Sequence, residues 1–301
     1  MVSVNKYKIK KWMDMLLGKS IHHVNQDEGK IYSISEIKGY YNNLTEKVTK
    51  AEKNDGIIPK SYIDSGEQIY FSIEIFQYGL ASYDLYLLTQ DIKMLKNAIA
   101  CADWALQNQE EKGSWKTFDF DNPKHPYSSM AQAEGVSLLV RIYLQTDKVK
   151  YAEAAKKAVD FMLLPLEKGG TTKYKDGKVY FYERTADPLV LNGWIFSYWG
   201  LFDYWKLTRN EEIKCILDKT LAAMVEDLPT YDLGYWSKYD SGTMICSPFY
   251  HKLHIAQLNV MYDLTKKKIF HTYAMLWSDY NNSFIKSKKA LIVKIWQKLF
   301  E

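Results

Sequence analysis

Tyr231, Tyr235, Tyr239, Tyr250, His251 and His254 fall within one stretch, LPTYDLGYWSKYDSGTMICSPFYHKLHIAQL, and all are groups able to take up or release a proton. Tyr250 and His254 are four residues apart at an expected helix start, so one face can carry both, the histidine orienting the tyrosine. Two earlier stretches have a similar character. In NQEEKGSWKTFDFDNPKHPYSSMAQAEG, Gly113, Pro123 and Pro126 break the helices. There Trp115, His125, Tyr127, Ser128, Gln132 and Glu134 crowd a helix start whose N-cap is Ser128 or Ser129. In GGTTKYKDGKVYFYERTADPLVLNG, the segment KYKDGKVYFYE alternates about Asp-Gly, the pattern of a two-residue β-hairpin, with Tyr182 and Glu183 just past it.

Other chemistries fit less well. The three-residue spacing of His251 and His254 can place two imidazoles on one ion, but no third histidine or carboxylate stands at a usual spacing, so no metal is expected. A Ser-His-Asp hydrolase lacks its G-x-S-x-G elbow. Cys101, Cys215 and Cys246 are scattered and form neither a metal nor a disulfide pattern.

The elements that must hold these stretches come as a repeat. An aromatic-rich amphipathic segment, a polar turn opening with threonine and a second amphipathic segment recur about every 60 residues, with the turns at Thr89, Thr146, Thr208 and Thr265. One helical hairpin cannot bury its apolar face alone, so neighbours stack, and a curved stack closes toward a toroid. The expected fold is all-α: an incomplete (α/α) toroid of about four hairpins over residues 67–301, with a small β-hairpin and an N-terminal extension, residues 1–66, that forms a helix and an arm. Function is then expected in the joins between hairpins, where the tyrosines lie.

Aromatic residues make up 15% of the 301 residues, enough to supply flat faces for sugar rings as well as a core. The net charge of +4 is compatible with an acidic substrate and lacks the concentrated basic stripe of a nucleic-acid binder. The start, MVSVNKYKIKKWMDMLLGKS, has no continuous apolar run and reads as neither signal peptide nor membrane span, so a cytoplasmic location is expected. The far end, FIKSKKALIVKIWQKLFE, is a basic amphipathic helix. It is expected to close the toroid through Ile292, Ile295 and Leu299, with peripheral contact at a membrane surface as the alternative.

At the joins the chain resembles the C-terminal catalytic domain of the glucuronyl C5-epimerases, enzymes that invert C5 of glucuronate in heparosan-like polymers. The matching pieces are FQYGLASYDLYL, ADWALQNQEEKGSW, YSSMAQAEGVSLLVRIYL, VLNGWIFSYWGLFDYW, LPTYDLGYWSKYD and YHKLHIAQL, in the family's order. Inverting C5 removes a weakly acidic proton beside a carboxylate and returns one to the opposite face, so two acid/base groups must flank the ring. The resemblance puts the catalytic tyrosines at Tyr182, Tyr239 and Tyr250. The family's glutamate precedes its first tyrosine, whereas here Tyr182 precedes Glu183, so either can oppose Tyr250.

Trp115, His125, Ser128, Gln132, Arg184, Asn192, Lys238, His251 and His254, from the same joins, are the residues expected to bind substrate. The family often carries an arginine after the tyrosine matched by Tyr239, and here Lys238 or His251 is expected to meet the carboxylate. No organic cofactor is implied. The β-rich N-terminal domains of animal members are not matched, so contacts to an acidic polysaccharide chain are expected from residues 1–66 or from the second subunit of a homodimer. A lyase that begins with the same proton abstraction, and a noncatalytic carbohydrate-binding toroid, are the alternatives.

Overall fold

A computed structural model describes residues 24–50, 57–63 and 65–299. The one-turn helix α1 (Glu46–Thr49) and an antiparallel pair, β1 (Ser61–Tyr62) with β2 (Gln68–Ile69), precede two helical hairpins, α2 (Ser72–Thr89) with α3 (Ile92–Asn108) and α4 (Ser129–Thr146) with α5 (Val149–Met162). A second hairpin, β3 (Thr172–Lys175) and β4 (Lys178–Phe181), leads into α6 (Leu191–Thr208), α7 (Glu211–Asp227), α8 (Pro248–Thr265), α9 (Lys268–Asn282) and α10 (Phe284–Leu299). Asp176 and Gly177 both have positive φ, 51° and 75°, as the Asp-Gly turn of β3–β4 requires.

Two kinds of helix alternate. The inner helices α2, α4, α6 and α8 have 18 residues each. Burial on α4 is continuous from Ser129 to Ile142, and on α6 from Leu191 to Leu201, as for helices apolar on every side. The outer helices bury a single stripe, such as Asn97, Ala98, Cys101, Ala102 and Ala105 on α3. Each outer helix packs on the inner helix before it, and the inner helices pack on one another in chain order, giving an all-α, incomplete (α/α) toroid. The closest approach is between α4 and α6. A Cβ on Gly200 would lie 2.2 Å from the carbonyl oxygen of Ala133, so only glycine lets these two backbones touch.

The four turns share one structure. Thr89, Thr146, Thr208 and Thr265 each end an inner helix and donate from Oγ1 to the carbonyl four residues back, at 2.6–3.0 Å. The next residue, Gln90, Asp147, Arg209 or Lys266, is left-handed and closes the helix through its backbone N–H.

The described part of the N-terminal extension threads the ring. Tyr32 donates to Asp263 on α8, Lys206 of α6 donates to the carbonyls of Ser33 and Glu36, and Arg141 of α4 donates to those of Lys38 and Gly39. The backbone N–H of Tyr40 then reaches Asp84 on α2. All four inner helices are thereby tied together at their C-terminal halves.

Helix α10 seats differently from the sequence expectation. Its packed face is Ala290, Val293 and Lys294, with Gln297 accepting from Ile245 N at 3.0 Å and donating to the carbonyl of Thr243 at 2.8 Å. Ile292 and Ile295 point outward, because the small Ala290 lets the opposite side of the helix sit against the body. The first 23 residues and the side chain of Leu299 lie outside the described residues. No helix among the described residues is long and apolar enough to cross a membrane.

Candidate active site

The inner helices all begin at one end of the ring, and there they surround a cavity of ≈ 670 Å³. Phe71, Glu74 and Gln77 come from the start of α2, Met130 from α4, Asn192 and Phe196 from α6, and Phe249, Tyr250 and Leu253 from α8. Helix N-termini carry partial positive charge and unsatisfied N–H groups, so four of them around one space favour an anionic ligand. The walls come from the joins, through Phe118, Phe120 and Asp121 after α3 and Glu183 and Arg184 after β4. Gln26, Lys47 and the β1–β2 hairpin complete the lining.

Glu183 is buried, and among the described residues its Oε2 has no hydrogen-bond partner. Burial pushes its carboxyl up to about 7, opposed in part by Arg184. Gly193 makes the room, since a Cβ there would lie 2.4 Å from that Oε2. The Glu183 carboxyl is thus poised to gain or lose a proton near neutrality.

Tyr250 is positioned by the start of α8. Ser247 caps the helix, accepting from Tyr250 N, and Pro248 occupies the first turn. The Tyr250 ring meets that of Tyr239 edge-on with centroids 4.9 Å apart. Burial and the charge of Glu183 push the Tyr250 hydroxyl above its usual range, while the hydrogen bond from Tyr239 favours its ionised form. Tyr239 is itself held by backbone bonds, its N–H donating to Met244 at 2.7 Å and its carbonyl accepting from Leu191 at 3.2 Å.

Among the described residues, the cations Arg184 and Lys47 line the cavity. Arg184 bonds Asp187 at 2.6 Å and Asp121, and lies 4.3 Å from the ring centroid of Phe118. The Lys47 ammonium bonds Glu74 at 2.8 Å. Gln77 donates to Glu134 at 2.8 Å, and burial holds the Glu134 carboxyl well above the usual carboxylate range.

Of the residues singled out in the sequence, Glu183, Arg184, Asn192 and Tyr250 line the cavity, with Tyr239 packed on Tyr250. Tyr182 lies outside the lining, its backbone spent on Thr171 and Ser129. Trp115 is core, with its indole N–H on Ala105 and its ring 4.9 Å from that of Phe76. Gln132 braces the Trp115 loop from behind, accepting from Trp115 N and donating to Gly113. Ser128 is the α4 cap, His125 is exposed on the join, and Lys238 is outside the lining.

The two histidines form a buried structural pair. His251 stacks on Trp236 at 3.6 Å and bonds Ser237 Oγ and the carbonyl of Trp277; His254 approaches Ser237 and Cys246. Burial lowers both to about 3, so they stay neutral. Among the described residues no group of three His, Cys, Asp or Glu side chains is placed to hold a metal ion.

Sequence reading missed Lys47, Glu74, Gln77 and Phe120. Glu74 and Gln77 carried a signal, being polar positions three apart in the otherwise apolar IEIFQYGL. Lys47 carried none, because it reaches the cavity only through the path of the arm.

Residues 121–279, just over half of the chain, match the model of the D-glucuronyl C5-epimerase C-terminus. An uncharacterized protein of Methanocaldococcus jannaschii is 29% identical over 55% of this chain and 57% of its own length. The D-glucuronyl C5-epimerase of Caenorhabditis elegans is 26% identical over 60% of this chain and 34% of its own. The chain therefore spans about half or less of these curated relatives. Two solved structures share the fold at 14% identity. An unsaturated glucuronyl hydrolase specific for heparin aligns with 72% of this chain and 63% of its own at a TM-score of 0.51. The Lin0763 protein from Listeria innocua aligns with 78% and 63% at 0.53.

Proposed function

Because the chain belongs to the family of the D-glucuronyl C5-epimerase C-terminus, we propose that it is an isomerase inverting C5 of D-glucuronate to L-iduronate in an acidic, heparosan-like polysaccharide. One observation carries this reading above the others: Glu183 and Tyr250, two proton carriers of different type, line the same cavity at the mouth of the ring.

In this proposal the uronate carboxylate lies toward Arg184, Lys47 and the inner-helix N-termini, which oppose the charge it gathers. Ionised Glu183 takes the C5 proton, the C–H electron pair moves into the carboxylate as an enediolate, and the Tyr250 hydroxyl gives its proton to the opposite face of C5. Glu183 then ends protonated and Tyr250 ends as phenolate, stabilised by the hydrogen bond from Tyr239. The reverse reaction exchanges the two roles. The catalytic unit includes the extension before residue 67, since Gln26, Lys47 and the β1–β2 hairpin contribute to the cavity.

The test is incubation of heparosan with the protein in deuterated water, followed by NMR at C5. Deuterium entering C5 with appearance of iduronate is the expected result. An absorbance rise from unsaturated uronate would instead make the protein a lyase, and binding without exchange would make it a noncatalytic carbohydrate binder.

A further inference from the structure

Helix α10 presents an apolar ridge to solvent. Phe284, Ile285, Ile292 and Trp296 are 73, 79, 67 and 61% exposed, with Ile295 at 36% between them. At 100° per residue these five fall within one arc of about 120°, opposite the packed residue Ala290. Single exposed apolar residues are ordinary, but a contiguous ridge of large ones on one helix marks a surface that meets another apolar phase.

The charges on the helix itself are all of one sign. From Phe284 to Leu299 the helix carries lysines and no acidic residue. Lys288 stands within the arc, with its ammonium 5.5 Å from the Phe284 ring centroid, and Lys289 borders it, 3.9 Å from that of Tyr235. Long lysine stems beside an apolar stripe can place their charge at headgroup level while the ridge enters the acyl boundary.

We propose that α10 docks in the plane of an anionic lipid surface, with Phe284, Ile285, Ile292, Ile295 and Trp296 entering the interface and the lysines meeting acidic headgroups. The charge complementarity selects this occupant: a hydrated polysaccharide would satisfy the lysines but leave the isoleucines exposed, and a neutral apolar partner would leave the lysines unpaired. The helix lies in the interface and does not span it, as its 16 residues and their charge require. Gln297, on the packed side opposite the ridge, ties the helix to the loop between Tyr239 and Tyr250.

The test is co-sedimentation of the full chain with vesicles of phosphatidylcholine alone and of equimolar phosphatidylcholine and phosphatidylglycerol. Binding is expected to the anionic vesicles only, to weaken in high salt, and to fall about tenfold or more in Ile285→Ser/Ile292→Ser, whose positions are too exposed to alter folding. Lys288→Glu/Lys289→Glu tests the charge separately and should also reduce binding. Failure to bind anionic vesicles at low salt, or binding unchanged by the serine pair, would overturn the proposal. A dimer in light scattering that the serine pair dissociates, without vesicle binding, would assign the ridge to a second copy of the chain instead.

Discussion

Arg141 on α4 donates from Nη1 to Oδ2 of Asp203 on α6 at 2.6 Å, and both side chains are excluded from solvent. The pair is the hub of the N-terminal arm. Asp203 also accepts from Tyr41 at 2.7 Å and Ser137 at 2.7 Å, while Arg141 makes three further bonds, to the carbonyls of Lys38 and Gly39 in the arm and of Ser137. The group draws its partners from the arm, α4 and α6, so the arm and the two helices are ordered together.

Removing one member leaves the other buried without its counter-charge. Asp203→Asn is therefore expected to destabilise the fold by about 3–5 kcal/mol, and Arg141→Met by a similar amount. Chemical denaturation measures the loss. Limited proteolysis should also show earlier cleavage between residues 28 and 44 in both variants, and unchanged cleavage there would mean the arm is held by its other contacts alone.

The left-handed residue after each threonine turn gives a prediction of opposite sign. Asp147 and Lys266 adopt φ of 55° and 56° in a conformation that costs an ordinary side chain some strain. Asp147→Gly and Lys266→Gly should each stabilise by a few tenths to about 1 kcal/mol, whereas the β-branched Asp147→Val should lose about 1 kcal/mol. Melting temperatures of the three variants decide it, and a fall in the glycine variants would contradict the cap geometry.

The hairpin repeat was legible because its signals are local: apolar spacing, the Thr turns and the Asp-Gly turn each act within a few residues. So were the joins that supply Glu183, Arg184 and Tyr250 to the cavity. What stayed hidden depends on contacts far apart in sequence. Asp84, Arg141 and Asp203 read as solvent-facing charges until the arm arrives to bury them, and Lys47 reads as an ordinary surface lysine. His251 and His254 show the reverse error, since clustering near tyrosines suggested chemistry and packing against Trp236 and Trp277 explains them. On α10 the apolar period was visible, but Ala290 decided which side faces inward.

The Glu183 carboxyl links stability and activity through pH. Its folded value near 7 lies above the unfolded value of 4.5, so folding is favoured by the protonated form and loses that contribution as pH rises through about 7. Glu183→Gln, which keeps the shape and removes the charge, should match the parent protein at about pH 4 and exceed it at about pH 8.5 by an amount on the order of 3 kcal/mol. Activity should run the other way, rising through pH 7 in the parent as the base ionises and lost in Glu183→Gln at every pH. Melting curves across pH that stay parallel for the two proteins would show that Glu183 does not carry this shift.

The two-face mechanism makes its sharpest demand on Tyr250. Tyr250→Phe keeps the ring packed edge-on against Tyr239 and removes only the hydroxyl, so the fold should persist while net epimerisation falls roughly a hundredfold or more. Glu183 can still remove and return a proton on its own side of the sugar. Exchange of C5 hydrogen with deuterated water should therefore survive for one epimer and nearly vanish for the other, when a glucuronate and an iduronate substrate are followed separately by NMR. Glu183→Gln should show the opposite preference, because it leaves the tyrosine face intact. Tyr182→Phe should leave both exchanges close to normal, since its side chain lies outside the cavity lining. If Tyr250→Phe exchanges both epimers equally, the two proton carriers do not flank C5, and the assignment of Glu183 and Tyr250 to opposite faces fails.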